Sequence, residues 1–201
     1  MENSGDRFTR TINGTETDIH IDNPADELNY LGDVTQPNNN WYGYPTCYTI
    51  WSPSGITDRA FAVGDQFVVA PNASFSDETC IQRSTPPRLS FQSHSAPLDA
   101  KFDADYTNMF VTLHGSWNRE PATGYRLVLI PFTKASDGTY EPVALANSSE
   151  GYQDVFYHED VSQCSALQCA RPVGLTFDAA GRLYMTSDAA LEGELFVMER
   201  M

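Results

Sequence analysis

The chain has 201 residues and a net charge of −15, with Lys101 and Lys134 its only lysines. That charge excludes a basic face for nucleic acid, since phosphates are met by Lys and Arg, and it disfavours an anionic lipid surface for the same reason. Hydrophobic residues at 41 %, with 11 Phe, 10 Tyr, 13 Gly and 12 Pro, suit one domain, or part of a larger one, built of short strands joined by turns.

From the N-terminus, residues 1–33 carry eight acidic side chains against Arg7 and Arg10. Acidic loops of this kind hold calcium, yet no EF-hand spacing is present. Residues 24–32, PADELNYLG, predict one helical turn with Gly32 as its stop. No long amphipathic helix is expected. Residues 35–58 and 71–97 are rich in Pro, Asn and Ser and predict long loops. Strands are predicted at Gln66–Ala70, Met109–Leu113, Arg126–Ile130, Arg182–Thr186 and Glu194–Met198, each short, β-rich and bounded by Gly, Pro, Asp or Asn. No run approaches about 18 apolar residues, the length that spans a bilayer.

Four cysteines permit two disulfides, and the nearest pairing is Cys47–Cys80 with Cys164–Cys169. A metal on the Cys-x4-Cys spacing is the weaker reading, because no second pair stands at zinc-like distance. Three sequons, at Asn13, Asn72 and Asn147, add to the case for the secretory pathway. The first residues, MENSGD, are polar and show no apolar signal core. A secreted protein whose N-terminal part lies outside this sequence is the expectation.

An internal repeat decides the architecture. Residues 97–132 read PLDAKFDADYTNMFVTLHGSWNREPATGYRLVLIPF, and residues 172–198 read PVGLTFDAAGRLYMTSDAALEGELFVM. Each opens Pro-x-x-x-x-Phe-Asp-Ala and continues through a turn, a strand, a loop, a Gly and another strand. Phe102 aligns with Phe177, Phe110 with Tyr184 and His114 with Asp188. Units of several antiparallel strands that need a neighbour to bury their faces predict an all-β fold of the β-propeller kind, with blade-like units at about 97–132 and 172–201. A chance match between two hairpins of a β-sandwich is the competing reading.

In such a ring, the loops after the inner strands line the mouth of the central channel. His114–Arg119 and Asp188–Glu192 occupy those places. His114 is a candidate general base, and taken alone it would more often be a satisfied loop histidine. Trp117 and Asn118 share its turn, and indole with amide suits a flat polar ligand, although core packing is the commoner use of Trp. Arg171, just before the second unit, can clamp a carboxylate through its planar fork; a surface role is the plain alternative. No phosphate loop, dinucleotide fingerprint or Ser-His-Asp arrangement is evident.

The stretches HGSWNREPATGYRLVLIPF, RPVGLTFDAAGRLYMTSDA with GELFVM, HSAPLDAKF, and DELNYLGDV with WYGYPTC resemble the fungal pyrroloquinoline-quinone (PQQ)-dependent sugar dehydrogenases. These form the sorbosone/pyranose dehydrogenase group related to soluble bacterial glucose dehydrogenase. The resemblance runs from about Glu2 to Met198. It implies the C-terminal half of a six-bladed propeller, PQQ held with Ca2+ above the channel, oxidation of a pyranose at its anomeric carbon, and electrons passed to a cytochrome domain or another acceptor. It places His114, Trp117, Asn118 and Arg171 at the quinone, and His114 is the candidate, on its chemistry, for the base that takes the sugar hydroxyl proton. It also implies calcium ligands, mainly backbone, at Asn3, Ser4 and Gly5. Further cofactor arginines of the family pattern would lie upstream of this sequence. A non-catalytic sugar- or calcium-binding fragment and a calcium-dependent lactonase are the alternatives.

Overall fold

A computed structural model of the chain describes residues 1–189 and 193–199. It divides into two compact units, one of Glu2–Ser93 with Leu145–Ser149, the other of Met1, His94–Ala144 and Glu150–Met201.

The first unit is made of short strand pairs. β1 (Thr9–Ile12) and β2 (Thr15–Asp18) form a hairpin. Asn13 and Gly14 join them, both at positive φ (51° and 82°), which matches the two-residue turn that Asn-Gly favours. β3 (Asp26–Leu28) pairs antiparallel with β6 (Leu89–Phe91), and β4 (Cys47–Thr49) with β5 (Gln66–Val68). The core gathers Ile12, Ile19, Ile50, Ile56 and Phe67, with Phe8, Tyr48, Phe61 and Val69 against it.

One short helix, α1 (Asp77–Arg83), is fastened from both sides. The Cys47–Cys80 disulfide ties it to β4. Arg10, only 2 % exposed, grips Asp77 with two hydrogen bonds of 2.9 and 2.7 Å and also donates to Asp58 and to the Val68 carbonyl. A buried guanidinium is tolerable because its donors meet two carboxylates and a carbonyl.

Two expectations are corrected here. Residues 24–32 do not make a helical turn; all three residues of β3 are buried and take their ladder partners from β6. Residues 35–58 and 71–97 are not unbroken loops, since they carry β4, α1 and β6.

In the second unit two sets of three strands share one hydrogen-bonding pattern. β7 (Pro97–Phe102), β8 (Asn108–Leu113) and β9 (Arg126–Lys134) form consecutive antiparallel pairs, as do β12 (Pro172–Phe177), β13 (Leu183–Ser187) and β14 (Glu194–Met198). Pro97 lies opposite Leu113 and Phe102 opposite Met109. Pro172 lies opposite Ser187 and Phe177 opposite Leu183. Both first strands carry a register shift at the same place, Pro97/Ala100 and Pro172/Leu175. Its cause is shared, because the Thr112 hydroxyl accepts from Asp99 N–H (2.9 Å) and the Thr186 hydroxyl from Gly174 N–H (3.0 Å). β10 (Tyr140–Pro142) and β11 (Gln153–Tyr157) both extend the first sheet beside β9.

The two sheets bury Leu127, Leu175, Leu183 and Met185 between them, flanked by Phe110, Phe156, Phe177 and Phe196. Each such side chain contributes about 1.5–3 kcal/mol on leaving water. Polar links fix the angle: Thr112 Oγ1 donates to Val173 O at 2.7 Å, and Leu175 N–H to Asp99 Oδ2 at 2.8 Å. The architecture is all-β in its strands. Among the described residues, no helix is long and apolar enough to cross a membrane.

Candidate functional site

The cluster after β8 is a closed loop. His114 N–H and Gly115 N–H donate to Ala96 O and Ser95 O, both at 3.0 Å, and Ser116 N–H reaches Thr123 O at 2.9 Å. Gly115 has φ +103°, and a Cβ there would stand 2.3 Å from the Tyr125 ring. Gly124 has φ +78°, and its Cβ would meet Gly115 Cα at 2.6 Å and Ser95 O at 2.7 Å. Only glycine allows backbone to approach backbone so closely at these dihedrals.

This packing seats Tyr125, buried and at positive φ, with its hydroxyl donating to Ser116 O at 2.5 Å. Burial pushes its phenol above the usual range, partly offset by the charge of Arg171. The guanidinium of Arg171 lies over the ring, 5.7 Å from its centre, within reach of a cation–π attraction. Tyr125 also packs in one buried cluster with Cys164 and Cys169, which form a disulfide. Both predicted disulfides are thus present, and the second is a support for the site.

His114 and Arg171 are brought together. Arg171 Nη2 donates to His114 Nδ1 at 3.0 Å and to Gly115 O at 3.2 Å. A guanidinium has no acceptor to offer, so Nδ1 must present its lone pair. The proton of the neutral ring then sits on Nε2 and is donated to Asp188 Oδ1 at 2.7 Å. Ser187 Oγ accepts from Arg171 N–H at 2.9 Å, and Asp188 N–H donates to Arg171 O at 3.2 Å, which holds the start of β12 to the end of β13.

Trp117 is 72 % exposed, so it is not a core residue, and its indole is presented at the surface beside the half-buried Asn118. The Arg171 Nε is buried and has no hydrogen-bond partner among the described residues. The structure thus pairs the Arg171 guanidinium with the His114 imidazole, and Trp117 and Asn118 follow His114 by three and four residues in the same loop.

Asn3 is exposed, while Ser4 and Gly5 are half-buried; they belong to the first unit, where Ser4 N–H donates to Asp26 Oδ1 at 2.8 Å. The sequons Asn13, Asn72 and Asn147 are all exposed. Of the expected mouth segment Asp188–Glu192, residues 190–192 lie outside the described residues, as do 200–201 of the second blade-like unit. Sequence reasoning aligned Asp188 with His114 but did not count it in the site, and it passed over Tyr125. The repeat offset was the signal for the first, and the Gly124-Tyr125 pair for the second.

The family model described as TrAA12-like matches residues 1–201. The chain is 41 % identical over 207 residues to a pyrroloquinoline quinone-dependent pyranose dehydrogenase of Coprinopsis cinerea, covering 100 % of this chain and 28 % of that protein. It is 38 % identical over 205 residues to a pyrroloquinoline quinone-dependent sugar dehydrogenase of Hypocrea jecorina, covering 43 % of it. The holo form of the pyranose dehydrogenase PQQ domain from Coprinopsis cinerea superposes with a TM-score of 0.92 at 40 % identity over 99 % of this chain and 50 % of that one. The calcium structure of the Trichoderma reesei Carbohydrate-Active Enzymes Family AA12 protein gives 0.87 at 40 % identity, over 100 % and 48 %. The chain therefore spans about half the length of those solved chains and less than half of the curated relatives. With its whole length matched, this chain belongs to the TrAA12-like family.

Proposed function

We propose that the chain is part of a six-bladed quinoprotein propeller that oxidises a pyranose at its anomeric carbon, using PQQ and Ca2+. The sheets of β7–β9 and β12–β14 are read as two of its blades. The observation that carries the proposal is the 3.0 Å contact between His114 Nδ1 and Arg171 Nη2, beside an exposed Trp117, in a chain of this family.

The residues fit the cofactor. Arg171 has a donor without an acceptor, and PQQ is a flat tricarboxylate that needs guanidinium at its edge and an aromatic or amide surface at its rings. Arg171, His114, Trp117 and Asn118 would hold it. Asn3, Ser4 and Gly5 would supply calcium ligands, largely from backbone carbonyls. When bound, the quinone supplies the two-electron acceptor. The chain's own residues orient and shield. Arg171 neutralises a carboxylate, and Tyr125 keeps the guanidinium from turning away. His114 Nδ1 is the atom that can take the proton of the sugar hydroxyl, and it is available once Arg171 transfers its hydrogen bond to another acceptor. Electrons would then leave to a cytochrome domain or another acceptor. Two disulfides and three exposed sequons support a secreted glycoprotein. A calcium-dependent lactonase would instead need inward acids on the metal, whereas Trp117, His114 and Arg171 make up this site.

The test is titration of the 201-residue chain with PQQ in the presence of Ca2+, followed by tryptophan fluorescence, then addition of a pyranose and a dye acceptor. Quinone uptake weakened by Arg171→Ala and Trp117→Ala supports the assignment. Uptake indifferent to both substitutions refutes it.

A further inference from the structure

In the first unit, β3 lies between two neighbours. On one side Glu27 stands opposite Ser90 of β6, and on the other it bridges antiparallel to Glu2, with backbone hydrogen bonds of 2.9 Å in both directions. Residues directly opposite across antiparallel strands project to the same face. Glu2, Glu27 and Ser90 therefore form one row across three segments. Asn29, two residues beyond Glu27, returns to that face. Its amide nitrogen lies 3.3 Å from Glu2 Oε2 and 3.0 Å from Glu27 Oε2, so two carboxylates meet at one point.

The row is deeply buried at its centre: Glu27 is 4 % exposed and Ser90 0 %. The Ser90 hydroxyl, though fully buried, has no hydrogen-bond partner among the described residues, and neither has Asn29 Oδ1. Two converging carboxylates with two neutral oxygens that lack donors have a common resolution, namely a hard cation that accepts lone pairs from all four.

We propose that Glu2, Glu27, Asn29 and Ser90 bind a Ca2+ ion. A half-turn of the Asn29 amide would present Oδ1 where its nitrogen now bonds the two carboxylates. Glu2 and Glu27 supply charge, Asn29 and Ser90 supply neutral oxygens, and water completes the six to eight ligands that Ca2+ takes. Mg2+ is the poorer fit, since it demands a tight octahedron and sheds its water reluctantly. The ligands here are side chains, unlike the backbone ligands proposed at neighbouring Asn3–Gly5, and the proposal does not depend on the quinone reading.

The experiment is isothermal titration calorimetry of the EDTA-treated, dialysed 201-residue chain with CaCl2 alone and MgCl2 alone, above pH 7 and without quinone. The expected result is a Ca2+ site that disappears in Glu27→Gln and weakens by about tenfold or more in Ser90→Ala, the usual scale for losing a supporting oxygen. Ca2+ held by the Asn3–Gly5 backbone would survive both substitutions. No Ca2+ uptake by the folded chain, or uptake unchanged in Glu27→Gln, overturns the proposal. Should Glu27→Gln fail to give the circular dichroism spectrum of the parent, Ser90→Ala decides: unchanged affinity there overturns it equally.

Discussion

Glu27→Gln, in the absence of divalent cations, is expected to remove a pH dependence of stability. Burial pushes the Glu27 carboxyl from 4.5 up to about 7, with the negative charges of Glu2 and Asp26 adding to it and hydrogen bonds from Thr49 and Asn29 drawing it back. The folded state therefore holds a proton at Glu27 that the unfolded state has already released. Between pH 4.5 and 7 the unfolded chain binds fewer protons, so stability falls as pH rises through this window. The favourable linkage is complete below the unfolded value and lost above about 7. A displacement of this size corresponds to about 3 kcal/mol. Glutamine copies the shape of the protonated acid. The Thr49 hydroxyl can still donate to it, and Asn29 can turn its partnerless Oδ1 towards the new amide. Urea unfolding in EDTA at intervals from pH 4.5 to 8, in a Trp117→Phe background, reads this directly, because Trp41 and Trp51 lie in the unit that holds Glu27. The Gln variant should gain on the parent by about 3 kcal/mol between the ends of that range. Parallel curves would show that Glu27 titrates alike in both states and would refute the reasoning.

Arg171→Lys keeps the charge but loses the fork, and Arg171→Ala loses both. PQQ affinity measured by fluorescence should fall by about 10- to 150-fold in the Ala variant, the equivalent of one charge-assisted hydrogen bond of about 1.5–3 kcal/mol, with Lys recovering only part. Gly115→Ala drives a methyl to 2.3 Å from the Tyr125 ring at a positive φ, and should abolish quinone uptake while the far-ultraviolet circular dichroism persists. Replacing Cys47 and Cys80 by Ala opens a loop with a sequence separation of 33 and should cost about 4 kcal/mol of stability in denaturant titrations under oxidising conditions.

The sequence disclosed most where chain-local signals and tertiary needs agree. Short, β-rich runs at Met109–Leu113 and Glu194–Met198, bounded by turn residues, became strands because each has a ladder partner in its own unit. His114 and Arg171 were legible through their places after one strand and before another. The failures have physical causes. Asp26–Leu28 lacks β-branched residues and looks helical on its own, and its strand conformation comes from β6, some sixty residues away. The helix Asp77–Arg83 spans seven residues, too few to show an amphipathic period, and is held by a disulfide and by Arg10 rather than by propensity. Strand β11, Gln153–Tyr157, carries no clear alternation and exists because β9 offers it an edge. The acid–amide–hydroxyl row of Glu2, Glu27, Asn29 and Ser90 could not be seen from spacing, since it is assembled across three segments.

The Cys164–Cys169 link closes a loop with a sequence separation of only five, so as a chain crosslink it contributes about 2 kcal/mol. Its greater weight is in packing, since it shares a buried cluster with Tyr125, over whose ring the guanidinium lies. Material produced in a reducing cytosol, or purified with dithiothreitol, would lose the stability that both disulfides lend and, with Cys164–Cys169, a support of the Tyr125 ring; on the proposed reading it would load PQQ poorly. Such a preparation would imitate an inactive enzyme when the fault was oxidation state, and re-oxidation before reconstitution would restore it.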